Sequence, residues 1–331
     1  MKPSGTILLT RSQVAELLTL DESIAAVEEA FRLYGSGKAA PPGLLGAHTD
    51  GGGFHIKTSL LDLNRRYFGL KVNANFFNNS KRFNLPNIQG LIVLCDGDNG
   101  YPLAVMDSIE ITIQRTGAAT AVAAKYLARS DSNTVTICGC GNQGRVQLAA
   151  ISRVLPIKKV FAFDTDTAGA DKYAADMSRT LSVDVSVVNT PAEGLRLSDI
   201  CITCTPSQHW IVDYKDVRPG TFLAGVGADN EHKQELHPQL MKGNKVVVDV
   251  LEQCAAIGDL HHAIAANIVS RADVHAELGE VVAGGKPGRT SSEEITIFDS
   301  TGTALQDVAA TAIVYERAVA SGRGTTLNFF A

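Results

Sequence analysis

Thr134-Val-Thr-Ile-Cys-Gly-Cys-Gly-Asn-Gln-Gly144 is followed by an apolar, helix-like stretch and then by Val160-Phe-Ala-Phe-Asp164. The order is strand, glycine turn, helix, strand, acid. Gly139 permits the tight turn, Gly141 lets the backbone approach a pyrophosphate, and Gly144 lets the helix pack close to its strand, with the phosphates on the helix amino terminus. Asn142 and Gln143 complete the turn. Asp164 stands 25 residues after Gly139, where a carboxylate accepts hydrogen bonds from both ribose hydroxyls of an adenosine and repels a 2′-phosphate. The expected cofactor is therefore NAD(H), with NADP disfavoured.

Outward from this turn, β-like and helical runs alternate. Strands are expected near 134–138, 160–164, 184–188, 199–204, 221–225 and 245–249, with a last one over 295–298. Such alternation makes an α/β fold with a doubly wound parallel, Rossmann-type sheet. Upstream, Asp21 to Tyr34 puts Ile24, Val27, Phe31 and Tyr34 on one helix face that Gly35 can end. Residues 43–106 are short β-like runs broken by Asp50-Gly-Gly-Gly53 and Asp96-Gly-Asp-Asn-Gly100, both hairpin signals. Ser108 to Arg129 is rich in alanine and threonine and reads as a helix. A final helix over 303–321 needs a partner for Val308, Ile313 and Val314, and returning to the first domain is the economical solution. The expected domains are thus 1–115 with 301–331, a discontinuous α+β unit with an antiparallel sheet, and 116–300, the nucleotide-binding unit.

At 331 residues the chain exceeds one typical core, in keeping with two domains. A hydrophobic share of 45% and a charged share of 20% describe an ordinary globular protein. The net charge of −5 and the lack of a lysine or arginine block argue against nucleic acid as a partner. No apolar run reaches the roughly 18 residues of a membrane span, and no signal pattern opens the chain, so a cytoplasmic protein without membrane contact is expected. Six cysteines in a chain this long suggest free thiols. Cys138-x-Cys140 and Cys201-x-x-Cys204 fall at the ends of core strands with no histidine pair at ligand spacing, so no metal is expected there.

In an open parallel sheet, ligands bind beyond the carboxyl ends of the strands. The loops there are Thr205-Pro-Ser207, Gly225-Val226-Gly227-Ala-Asp229 and Asp299-Ser300-Thr301-Gly302. Their small and polar residues, with Thr165 after Asp164 and Thr116 on the preceding helix, are the expected cofactor contacts. Asp229 reads either as an amino-terminal cap for a helix near Glu235 or as a group that moves a proton beside the nicotinamide. In the first domain, Phe54-His-Ile-Lys57 and Phe68-Gly-Leu-Lys71-Val-Asn73 each put a lysine inside an apolar strand. Such lysines either snorkel from a sheet edge or, with Arg115, converge on a substrate carboxylate. Asn73, two residues on from Lys71, belongs to the same candidate set. His261 and His262 read as helix-surface or interface residues.

The set Gly69-Leu-Lys71-Val, Arg115-Thr-Gly-Ala-Ala-Thr120, Gly139-Cys-Gly-Asn-Gln-Gly144, Thr203-Cys-Thr-Pro-Ser207, Gly227-Ala-Asp229 with Lys233-Gln-Glu-Leu236, Glu277-Leu-Gly-Glu280 and Phe298-Asp-Ser-Thr-Gly302 resembles the ornithine cyclodeaminase and mu-crystallin family. That family includes an alanine dehydrogenase and several ketimine reductases. The resemblance implies that Lys71 and Arg115 bind a carboxylate, that Lys71 also polarises the reacting carbon centre, and that Asp229 exchanges a proton with the substrate nitrogen. It further implies a homodimer formed through the first domain's sheet. Two departures stand out. Family members commonly have Pro-Gly-Lys after the aspartate motif, where this chain has Glu231-His-Lys233. Ornithine cyclodeaminase carries an acid on the strand that here reads Phe54-His55-Ile-Lys57, and no acid is present. The expected activity is NADH-dependent reduction of an imino acid, or the reverse amino acid dehydrogenation, with a small imino or amino acid as substrate. Ornithine cyclodeamination and non-catalytic ligand binding are the alternatives.

Overall fold

The computed structural model describes residues 5–76 and 78–329. In chain order the elements are β1 (Thr6–Leu9), α1 (Arg11–Leu17), α2 (Leu20–Gly35), β2 (Gly43–Thr49), β3 (Gly52–Asp62), β4 (Arg66–Phe76), α3 (Asn79–Phe83), β5 (Ile88–Asp96), β6 (Pro102–Asp107) and α4 (Ile109–Leu127). There follow β7 (Thr134–Cys138), α5 (Asn142–Val154), β8 (Lys159–Phe163), α6 (Thr167–Leu181), β9 (Asp184–Val187), α7 (Pro191–Leu195), β10 (Ile200–Thr203), β11 (Phe222–Gly225) and β12 (Lys245–Val248). The chain ends with α8 (Leu251–Ile257), α9 (Asp259–Ala265), β13 (Ala276–Glu277), α10 (Leu278–Val282), β14 (Thr296–Asp299), α11 (Ala304–Ser321) and β15 (Thr325–Leu327). They form two compact units, 1–115 with 303–331 and 116–302.

In the first unit, seven strands run in the order β15-β1-β6-β5-β4-β3-β2. The sheet is antiparallel from β2 through β6, and β1 joins β6 in parallel, so it is mixed rather than purely antiparallel. The two hairpin signals lie where the chain reverses, with Gly51 at φ 89° and Gly100 at φ 75°. Period-2 alternation sends Tyr67, Gly69 and Lys71 of β4 to the inner face, against which α11 packs. Leu61, Tyr67, Ile92, Leu94, Leu305 and Val308 share that core. Gly69 is required there, since a Cβ would lie 2.4 Å from Val308 Cγ2. Helix α2 starts at a capping box of Thr19 and Glu22, and Gly35 is its last residue; the left-handed position that stops the chain is Gly37, at φ 70°.

The second unit holds an eight-stranded parallel sheet in the order β13-β12-β14-β11-β10-β7-β8-β9. Its first five strands follow the doubly wound order, and the topological switch point falls between β7 and β10. The last strand, β14, inserts between β11 and β12 instead of adding at the edge. The short strand β13 has no counterpart in the sequence reading. Gly117 of α4 lies 3.0 Å, by an added Cβ, from Val146 of α5, so a side chain there would push the two helices apart.

Candidate functional site

The glycine turn has the geometry its sequence implies. Gly139 has φ 101°, and a Cβ on it would meet the Cys204 carbonyl at 2.8 Å. Gly144 lies so close to the turn that a Cβ would sit 2.0 Å from the Gly139 oxygen. Gly141, by contrast, precedes the first residue of α5 and has nothing within 4 Å of a Cβ, which leaves its backbone open to a ligand. Asn142 is exposed, Gln143 half-buried. Asp164 follows β8 directly and accepts from the backbone N–H of Cys140 at 2.7 Å and of Asp166 at 3.0 Å, so its carboxylate is fixed beside the turn. Thr165 is exposed next to it. These residues fit a dinucleotide: an open, amide-rich helix start flanked by a carboxylate at ribose distance in sequence.

The loops after β10, β11 and β14 lie along the same carboxyl edge. Many of their hydroxyls are already committed. Thr205 Oγ1 donates to Glu235 Oε1 at 2.7 Å, and Ser207 Oγ donates to the His209 carbonyl. Thr301 Oγ1 donates to Asp249 at 3.0 Å and accepts from Gln253, while the Gly302 N–H donates to Asp249 at 2.6 Å. Val226 and Gly227 are half-buried, Ser300 is buried, and Thr116 is a buried residue of α4. The buried cysteines Cys138 and Cys201 are free, and among the described residues no cluster of histidine, cysteine or acid could hold a metal ion.

Glu235 organises these loops, and the sequence reading gave it no role. It is fully buried and also accepts from Thr203 Oγ1 at 2.8 Å and from the Gly227 N–H at 2.7 Å. Burial raises its carboxyl despite those bonds, and burial together with the Glu235 charge pushes Asp259 up to about 7. Asp259 in turn receives the Glu235 and Leu236 N–H groups. No α-helix begins near Glu235 for Asp229 to cap. The stretch from 226 to 237 is irregular and leads into a short 3-10 turn capped by His237. Asp229 instead accepts from Lys233 Nζ at 2.7 Å, with its side chain half exposed. His262 supports this loop through a 2.8 Å hydrogen bond between Nε2 and the Lys233 carbonyl, and burial lowers its pKa.

In the first unit, Lys57 and Lys71 stand directly opposite each other on β3 and β4. Neither strand is at an edge, and the lysines are only 7% and 3% exposed, so snorkelling from an edge is ruled out. Arg115, 5% exposed, reaches the same place from α4. Asp307 of α11 closes the cluster: one oxygen lies 2.6 Å from Lys71 Nζ and the other 2.9 Å from Arg115 Nε. Burial opposes ionisation of Asp307, but the Lys71 and Arg115 charges outweigh it and hold the carboxyl below its usual range. Burial also pushes Lys71 down to about 7, with Asp307 pulling the other way and Arg115 and Lys57 repelling it. Gln306 accepts from Arg115 Nη1 at 2.8 Å. Asn73, on the same face as Lys71, accepts from Ser108 Oγ at 2.6 Å. The signal for Asp307 was an acid amid the alanines of residues 304–312, on a helix face that has to be buried.

The ornithine cyclodeaminase/mu-crystallin family model matches residues 4–322. An alanine dehydrogenase of Archaeoglobus fulgidus is 42% identical over 98% of this chain and 99% of its own. Among solved structures, an archaeal alanine dehydrogenase dimer with bound NAD superposes with a TM-score of 0.94 at 41% identity, covering 98% of this chain and 99% of that one. The Δ1-pyrroline-2-carboxylate reductase of Thermococcus litoralis, in complex with NADH and L-proline, gives 0.92 at 34% identity, covering 97% and 100%. With the glycine turn, the Lys71 and Arg115 cluster and the Asp229 loop all in place, the chain belongs to the ornithine cyclodeaminase/mu-crystallin family.

Proposed function

We propose that the protein is an NAD(H)-dependent oxidoreductase that reduces an imino acid to an amino acid, or runs the reverse dehydrogenation. The observation that carries this reading is the buried Lys71 and Arg115 pair, two cations held ready by a single carboxylate in a chain that also bears an open dinucleotide turn. Buried charge of this kind is costly unless something makes use of it. When bound, the nicotinamide supplies the hydride. The chain supplies the rest. The amides around Gly141 and Asn142 hold the pyrophosphate, and Asp164 takes the ribose diol. Arg115 and Lys71 grip the α-carboxylate, the guanidinium fork fixing its plane. Asp229, held by Lys233 Nζ at 2.7 Å, exchanges a proton with the substrate nitrogen.

Lys57 weighs against ornithine as substrate, because a buried cation on β3 opposite Lys71 repels a second ammonium group. The archaeal relative described as a dimer also supports a second copy as partner here, docked on the outer face of the first unit's sheet. The test of activity is a panel of α-keto acids with ammonia or methylamine, together with cyclic imino acids, followed by NADH absorbance. Oxidation of NADH with at least one of them is the expected result. NADH binding without turnover across the whole panel would overturn the enzyme reading in favour of a ligand-binding protein.

A further inference from the structure

Two consecutive residues of α11 reach the same arginine. Gln306 Oε1 takes Arg115 Nη1 at 2.8 Å, and Asp307 lies 2.9 Å from Nε while its other oxygen lies 2.6 Å from Lys71 Nζ. One carboxylate thus ties together cations from two different elements, β4 and α4. Lys71 has three donors; Asp307 takes one, and Thr112 Oγ1 lies 3.5 Å away for a second. Arg115 has five, of which one on Nη1 is hydrogen-bonded to Gln306 while Nε lies at ion-pair distance from Asp307, so donors remain on both side chains for a ligand. The charges tell the same story. Lys71 and Arg115, with Lys57 beside them, bring more positive charge than Asp307 alone balances, which favours an anionic ligand such as an α-carboxylate. Gln306 adds a second sign of a missing ligand: it is fully buried, and its Nε2 has no partner among the described residues. An orphaned buried donor is expensive.

We propose that Gln306 and Asp307 form the back wall of the carboxylate site, Asp307 as a positioning residue that fixes Lys71 and Arg115, and Gln306 as a direct donor, through Nε2, to the bound carboxylate. The proposal rests on the reading of Lys71 and Arg115 as carboxylate binders and extends it to α11. The charged groups facing Lys71 are Asp307 of α11, Arg115 of α4 and Lys57 of β3. Removing the only anion among them lowers the Lys71 titration, and with it the pH above which Lys71 itself is neutral.

The test uses the full chain, with lysine side chains carrying a carbon label at Cε and the Lys71 signal assigned by its loss in Lys71→Met. In Asp307→Asn, the Lys71 midpoint falls below that of the wild type and KM for the best imino acid rises about tenfold or more, as expected for a hydrogen bond to a charged group. NADH affinity is unchanged. Gln306→Glu keeps the acceptor for Arg115 but presents an oxygen where Nε2 was, so its KM rises by at least the same factor with NADH affinity intact. A folded Asp307→Asn with wild-type midpoint and KM overturns the positioning role, and an unchanged KM in Gln306→Glu overturns the donor role. If Asp307→Asn fails to fold, the Gln306→Glu result decides, because that variant leaves the ion pairs in place. If the wild type turns over no imino acid, pyruvate replaces the substrate: it shifts the Lys71 signal in the wild type and not in Gln306→Glu. No shift in the wild type refutes both readings at once.

Discussion

Asp229 is where a structural role and a chemical one are most cleanly separated, because the helix it would have capped does not form and its carboxylate faces Lys233 instead. A positioned acid or base contributes about 10²–10⁴-fold in rate. With Asp229 as the proposed proton exchanger, Asp229→Asn would remove that exchange but keep a hydrogen-bond acceptor for Lys233, so it should fold and bind NADH normally while kcat drops by about a hundredfold or more. Near wild-type turnover would mean the proton comes from elsewhere, with Lys71 the next candidate. Asp164 makes a similar single-residue case for the cofactor. It is fixed by the Cys140 and Asp166 amides and carries no neutralising cation among its described partners, so a 2′-phosphate would meet a held negative charge. Asp164→Ser should narrow the preference for NADH over NADPH, read as the ratio of the two kcat/KM values; wild-type protein that prefers NADPH would refute the assignment.

Elements hold these residues in register, and α11 does so through Gly69. A side chain at Gly69 would drive into Val308, one residue from Asp307. Gly69→Ala is overpacking of a buried helix-on-sheet contact, at a cost of about 1–3 kcal/mol. It should lower Tm and raise KM for the imino acid together, since the shift of α11 moves Asp307 away from Lys71; a lowered Tm with unchanged KM would show that the helix can yield without disturbing the cluster. The elements also mark what could be read from sequence. Each glycine of the 139–144 turn has its own steric duty, so the motif carried its structure with it, and the strand and helix periods placed most elements within a few residues. Pairing order did not follow. Nothing in residues 296–299 announces that β14 slips between β11 and β12, because insertion is decided by what already flanks those strands. The helix foreseen near Glu235 fails because a buried carboxylate there collects the hydrogen bonds of Thr203, Thr205 and Gly227, and its own N–H goes to Asp259. Asp307 escaped notice because an acid in an alanine-rich helix ordinarily marks the wet face.

For the molecule as a whole, the inner face of the first unit's sheet is covered and the outer face is not. Period-2 alternation puts Leu45, Phe54, Phe68 and Leu91 on the side opposite Lys71, and they are 61%, 37%, 37% and 54% exposed. Phe54, Val72, Ala74, Leu91 and Val93 line an apolar depression there. Strand β2, at the end of the sheet, has every residue exposed. A bare apolar face with an open edge invites aggregation unless something of the same kind covers it, and the proposed second copy would do so with closed symmetry. Leu45→Lys combined with Leu91→Glu charges this face without touching the inner core or the cationic cluster. If the proposed dimer forms through this face, the wild type should sediment as a dimer and the double variant as a monomer, with far-ultraviolet circular dichroism unchanged. A variant that remains dimeric would move the interface to another surface and leave this face without an occupant.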